Sequence, residues 1–116
     1  MRTSSAKAKG RRLQQWIAER IADLTGFPYG KDCPIESRPM GQSGCDVRLE
    51  RQVLDKFPFS VEAKNVEKVS LWASIDQAKA NQIDGTDWLL IIKRNHRNPI
   101  VVMDGAAFFK LLEGMK

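Results

Sequence analysis

The segment Phe57-Pro-Phe-Ser-Val-Glu-Ala-Lys64 holds an acid and a base two residues apart in an otherwise apolar run. Strand side chains alternate, so Pro58, Ser60, Glu62 and Lys64 share one face and Phe59, Val61 and Ala63 the other. Glu62 and Lys64 are then neighbours, about 7 Å apart along the strand. Asp46, directly after Gly44-Cys45, opens the preceding extended segment, where a breaker-rich loop ends and a backbone can part from its neighbour. If the two strands pair as a hairpin, Asp46 lies beside Glu62. Two carboxylates converging on one point repel each other, a cost that a divalent cation between them offsets. Oxygen-only ligands select Mg²⁺, with Mn²⁺ as a substitute, and such ions keep open positions for phosphate oxygens. The metal polarises a scissile phosphate and lowers the pKa of a bound water, while Lys64 orients that water or stabilises the developing charge. Glu-x-Lys alone is a weak pattern, and the alternative is a solvated strand face whose charges form cross-strand ion pairs. Against it stand the apolar opposite face, a following helix that covers part of the sheet, and the glycine-preceded acid upstream.

The charge distribution supplies a partner for that chemistry. The 116 residues carry nineteen Lys and Arg against fourteen Asp and Glu, a net charge of +5. Five of the nineteen (Arg2, Lys7, Lys9, Arg11, Arg12) lie in the first twelve residues, which contain no acid, so the remainder is balanced. A neutral body with a basic end offers a polyanion a local attachment site, and nucleic acid is the first partner to consider. Arg94, His96 and Arg97 form a second basic cluster, either a solvated loop or a phosphate contact. The longest clear apolar run, Trp88 to Ile92, falls well short of the roughly 18 residues of a membrane span, and Met1 to Arg12 has no apolar signal core. Cys33, Cys45 and His96 support neither a disulfide framework nor a zinc site, which leaves a cytoplasmic protein as the expectation.

The length is that of one domain. Residues 1–9 read as a flexible basic arm, and residues 10–116 as the folded domain. Leu13, Trp16, Ile17, Ile21 and Leu24 recur at helical spacing and stop at Gly26 and Pro28. Three extended segments follow, Cys33 to Ser37, Asp46 to Glu50 and Phe57 to Lys64, with Arg51 to Lys56 as a polar hairpin link. Ser70 caps a second helix through Gln82, with Leu71, Ile75 and Ala78 on its inner face. Trp88 to Ile92, apolar without alternation, reads as a central strand covered on both sides. Ile100 to Met103 is a further strand and Ala106 to Leu112 a closing helix. The order α-βββ-α-ββ-α predicts an α/β fold, a mixed five-stranded sheet flanked by helices.

Gly44-Cys45-Asp46-Val47, the variable hairpin, and Phe57 through Glu62-Ala-Lys64 resemble the PD-(D/E)xK nuclease superfamily, with Asp46, Glu62 and Lys64 at its catalytic positions. The likeness spans Lys9 to Asp104 and implies a restriction-endonuclease-like core. Within that superfamily the short length, Lys9-Gly-Arg-Arg12 and Ser43 to Asp46 are most similar to archaeal-type Holliday junction resolvases and their phage-borne relatives. The resemblance implies a Mg²⁺-dependent endodeoxyribonuclease that resolves four-way junctions by paired cleavage, working in the host cytoplasm if phage-encoded. Approximate two-fold symmetry of the junction makes a homodimer the expected form. Two alternatives remain: a less specific branched-DNA or nicking nuclease, and a non-catalytic basic nucleic-acid-binding module.

Those resolvases carry a metal-directed Glu in the first helix, and here Gln15 takes that place. Gln15 brings an amide oxygen without charge. Glu19, one turn on, is either its substitute or an ordinary surface acid. Ser43 either hydrogen-bonds phosphate or stabilises a turn, and Gln77 either faces the site or is solvated. With Lys7, Lys9, Arg11, Arg12, Arg94 and Arg97 these complete the candidate DNA contacts. Trp72 reads as core or dimer interface in preference to a base-stacking platform.

Overall fold

A strand that is apolar on both faces must be covered twice, and the fold is built around one. In the computed structural model, which describes residues 2–38 and 44–115, Trp88 to Ile92 form the buried centre of β4 (Asp87–Lys93). Its neighbours are β3 (Phe59–Asn65), parallel to it, and β5 (Ile100–Met103), antiparallel. Beyond β3 lie β2 (Val47–Leu49) and then β1 (Ile35–Ser37), both antiparallel, giving a mixed five-stranded sheet in the order β1-β2-β3-β4-β5. The parallel β3–β4 pair needs a crossover, which α3 (Leu71–Ala80) supplies.

The two faces have separate cores. On one, Leu13, Ile17 and Ile21 of α1 (Arg2–Thr25) pack on Val61 of β3 and on Leu89 and Ile91 of β4. On the other, Ile75 and Ala78 of α3 pack on Trp88, Leu90 and Ile92. The side chains of β3 follow the expected alternation: Phe59, Val61 and Ala63 belong to the α1 face, whereas Ser60 and Glu62 bond to groups just beyond α3. The α/β architecture, the mixed sheet and the flanking helices are as the sequence predicts. A closing helix, α4 (Gly105–Glu113), is capped by Asp104, whose Oδ2 accepts the Ala107 amide at 3.0 Å.

Three local expectations change. Residues 1–9, read as a flexible arm, are helical from Arg2 and form the opening turns of α1. Ala6, Lys7, Ala8 and Lys9 are all good helix formers. The end of this stretch is also tied to the sheet, because Asn65 Nδ2 donates to the Lys9 carbonyl at 3.0 Å. The polar link Arg51 to Lys56 instead contains a one-turn helix, α2 (Arg51–Leu54), which drives Val53 into the α1-side core at 0% exposure. Ser70 occupies the N-cap position of α3 but makes no side-chain capping bond.

Val53→Ala should cost about 1–3 kcal/mol in urea unfolding, the usual range for removing buried methyl groups. Gln52→Ala, at an exposed position one residue away, should stay within about 0.5 kcal/mol. Equal effects would return this segment to solvent as a plain hairpin link.

Candidate active site at the parting of β2 and β3

The pairing of β2 with β3 is brief. Val47 opposes Val61, and the next residue back along β2, Asp46, sends its amide to the same Val61 carbonyl (2.9 Å), one place out of register. The ladder therefore stops there, and the Ala63 amide has no β2 carbonyl to meet. The Asp46 side chain takes its place: Oδ2 accepts the Ala63 N–H at 2.7 Å. Gly44, with φ of +94°, allows the chain to turn into this position, a conformation that L side chains rarely adopt. The carboxylate is thus held at the parted edge, between the positions of Glu62 and Lys64.

Glu62 lies on the α3 face of β3 and is only 3% exposed. A solvated strand face is thereby excluded for it. Its Oε1 accepts a long hydrogen bond from Asn81 Nδ2 (3.4 Å), and the Lys64 Nζ lies 4.0 Å from Oε2. Burial raises the pKa of Asp46, offset in part by the Ala63 amide and by Lys64. Burial also raises that of Glu62, and the Asp46 charge pushes it further the same way. Lys64 lowers both, but burial in this poorly solvated place outweighs it.

That donor set suits Mg²⁺, which is bound through one or two carboxylates and keeps its remaining positions for water and phosphate oxygens. Asp46 and Glu62 are the residues that would hold it. Among the described residues no group of three or more His, Cys, Asp and Glu is arranged to bind a metal ion, so Glu19 does not add a third acid to the pair. Its carboxylate is engaged elsewhere, by Tyr29 Oη at 3.1 Å and Arg20 Nη2 at 2.9 Å. Gln15 is exposed and lines, with Glu19, Arg12 and Lys31, a cleft of about 700 Å³ between α1 and β1. The neighbouring Gln14, at 2% exposure, is the glutamine that α1 turns toward the sheet.

Two of the basic candidates, Lys9 and Arg94, meet at the far end of β3. Glu67 accepts the Asn95 amide at 2.7 Å, with Lys9 Nζ and Arg94 Nε each 3.9 Å from its carboxylate. The Asn95 N–H, then the nearby cations, hold Glu67 below the usual carboxylate range. This residue brings the first helix and the β4–β5 tip to the end of the strand that carries Lys64. Lys7 and Arg11, one turn apart on α1, are exposed, as are Arg12 and Arg97. Gln77 is exposed on α3 and does not reach the carboxylates; Asn81, one turn further, does. Trp72 is 75% exposed and no part of the core. Ser43 lies outside the described residues.

Two site residues carried no signal in the sequence. Asn81 closes α3 and joins two parts of the site, because its carbonyl accepts the Cys45 thiol at 3.3 Å while its amide meets Glu62. Arg38 donates its amide to the Asp46 carbonyl at 2.8 Å and lines a cavity of about 170 Å³ with Cys45, Arg48 and Asn81. Burial pushes the Cys45 thiol upward, opposed first by a hydrogen bond with Ser60 and least by the Arg38 charge, while Glu62 and Asp46 push it further up.

No protein-family model, no curated protein and no solved structure matches this chain.

The raised pKa of Glu62 sets a sign for stability. A carboxyl whose folded pKa lies above its unfolded value contributes most at low pH, and that contribution is lost as pH rises through the folded pKa. Each unit of such a rise corresponds to about 1.4 kcal/mol. Without metal, Glu62→Gln should therefore be more stable than wild type at pH 7, and the gap should close as pH falls into the ordinary carboxylate range. Denaturant unfolding across that range checks it; a variant less stable at pH 7 would show that the Glu62 anion is well compensated.

Proposed function

We propose that this protein is a Mg²⁺-dependent DNA endonuclease with a restriction-endonuclease-like core, in which Asp46, Glu62 and Lys64 form the active site. The observation that carries the reading is the pair of carboxylates at the parted β2–β3 edge, both disfavoured as anions, with one lysine beside them. Carboxylates whose pKa values are pushed up by burial cluster at functional sites. When bound, Mg²⁺ supplies Lewis-acid polarisation of the scissile phosphate and makes water a better nucleophile at neutral pH.

The chain's own residues do the rest. The Ala63 amide fixes one oxygen of Asp46 and leaves the other for the cation. Asn81 limits the rotation of Glu62. Lys64, partly exposed, presents a positive charge to the anion that develops as the phosphodiester is attacked. Lys7, Arg11, Arg12, Arg94 and Arg97 neutralise backbone phosphates and position the DNA without reading bases.

Four-way junctions are the proposed substrate, cut by paired nicks from two copies of the chain. Lys9 and Arg94, which Glu67 draws together at the end of the strand that carries Lys64, would contact backbone phosphates, and such contacts follow backbone geometry in preference to base sequence. The absence of a third acid among the described residues favours a second reading, a non-catalytic DNA-binding module in which Lys64 merely tempers Asp46 and Glu62.

Purified protein with Mg²⁺ should place paired, symmetric nicks in an immobile four-way junction whose strands are labelled in turn, and cut linear duplex and single strands far more slowly. Asp46→Asn and Glu62→Gln should abolish cleavage while binding is retained, and Lys64→Ala should slow it by about a hundredfold with little change in affinity. Equal rates on all three substrates would leave the nuclease and remove the resolvase. Binding without Mg²⁺-dependent cleavage would establish the second reading.

A further inference from the structure

The face of the sheet that carries α3 is only partly roofed by it. Ile75 and Ala78 close over Trp88, Leu90 and Ile92, but Ile100 of β5, which pairs with Ile92 and shares its face, stays 58% exposed. The gap is a cavity of about 730 Å³, floored by Ile92, Ile100 and Val102 and walled by Val69 and Leu71 where α3 begins. Its rim is basic. Arg94, His96 and Arg97 of the β4–β5 tip line it, and among the described residues no acid does. The tip folds back through a turn in which the Arg97 amide donates to the Arg94 carbonyl at 3.2 Å, with His96 at a φ of +62°, and this brings the two arginines together. Glu67 pairs with Arg94 from outside the cavity.

An aliphatic floor below a cationic rim fits a molecule with an apolar body joined to an anion, and the volume is in the range of about 300–1,000 Å³ of ligand pockets. A nucleotide has that form, with the base for the floor and the phosphate for the rim. Within a duplex the face of a base is hidden in the stack, so the floor is open only to an unpaired nucleotide. The position in the fold points to one. Lys64 and Ile92 are register partners on adjacent parallel strands, so the floor begins about 4.8 Å across the sheet from the lysine of the candidate active site, on the same face.

We infer that this cavity receives the base of an unpaired nucleotide next to the bond to be cut, with Arg94 and Arg97 on its phosphate. The inference rests on the DNA reading above and deepens it, because it names the feature of the substrate that the protein selects. Aliphatic side chains offer no hydrogen bonds, so the floor registers that a base is unpaired and not which base it is. Bases leave the stack most readily at branch points, where a substrate then gains an anchor that plain duplex lacks.

Binding in EDTA, where nothing is cut, is measured to three labelled duplexes: one fully paired, one with a single bulged adenine, and one with an abasic residue at the bulge. The adenine bulge should bind about tenfold more tightly than the abasic one, as expected for one base laid on a protein surface. Ile100→Ser and Leu71→Ser, both at exposed positions, should remove that advantage and leave paired-duplex affinity and circular dichroism unchanged. Arg97→Gln should weaken all three complexes alike and lower the salt slope by about one. Equal affinity for the adenine and abasic bulges overturns the inference and leaves the DNA reading standing. An advantage that survives both serine variants places the base elsewhere and overturns it too. Release of the bulged DNA by dodecyl phosphate, at concentrations where deoxyadenosine monophosphate has no effect, marks an acyl-chain site and also overturns it. Failure to bind any of the three duplexes removes the DNA reading and this inference together.

Discussion

The Ala63 amide is a donor inside a sheet whose natural acceptor strand has turned away, and an unpaired buried N–H costs on the order of 1–3 kcal/mol. Asp46 supplies the missing acceptor from its side chain, at 2.7 Å. Much of the site follows from that single substitution of carboxylate for carbonyl. It holds β2 and β3 apart without loss of a hydrogen bond, and it places a negative charge beside Glu62, which the α3 face has already taken out of water. The sheet gains an opening, and the opening is lined with acid.

The rest of the molecule serves to keep β3 rigid while its edge is open. Its parallel partner β4 runs in register with it from Phe59–Asp87 to Asn65–Lys93, so the backbone on the closed side is paired along its full length. Ser60, at the start, is bonded to Thr86 and to the Ile83 amide, and Asn65, at the end, reaches the Lys9 carbonyl. Glu67 then ties Lys9 and Arg94 to the same end. A site whose charges repel each other needs such a scaffold, because the strain otherwise relaxes through the backbone.

Where a property depended on local period, it was legible in the sequence. Alternation in β3 separates Glu62 and Lys64 from Val61, and the unbroken apolar run of β4 marks the central strand. Where it depended on long-range contact, it was not. Asn81 meets Glu62 from 19 residues away, and no local pattern singles it out from the other polar residues near the end of α3. Val53, one of two apolar residues in a polar stretch of six, establishes no period, so its one-turn helix reads as a link. The first helix teaches a related lesson about phase. Adjacent residues differ by about 100° around a helix, so Gln14 is turned to the sheet and Gln15 to the cleft, although likeness to the resolvases indicates Gln15. The composition of the basic N-terminal stretch suggests a loose arm, but the good helix propensity of Ala and Lys carries α1 through it.

The central claim is that Asp46 and Glu62 together bind a divalent cation, and binding to the folded state alone raises stability in proportion to the logarithm of ligand concentration. Thermal unfolding of the wild type at pH 7 should therefore shift upward with added Mg²⁺ along a saturable-site curve, while the Asp46→Asn, Glu62→Gln double variant stays flat. An equal shift in both proteins, or none in the wild type at Mg²⁺ concentrations that support nucleases, would contradict it.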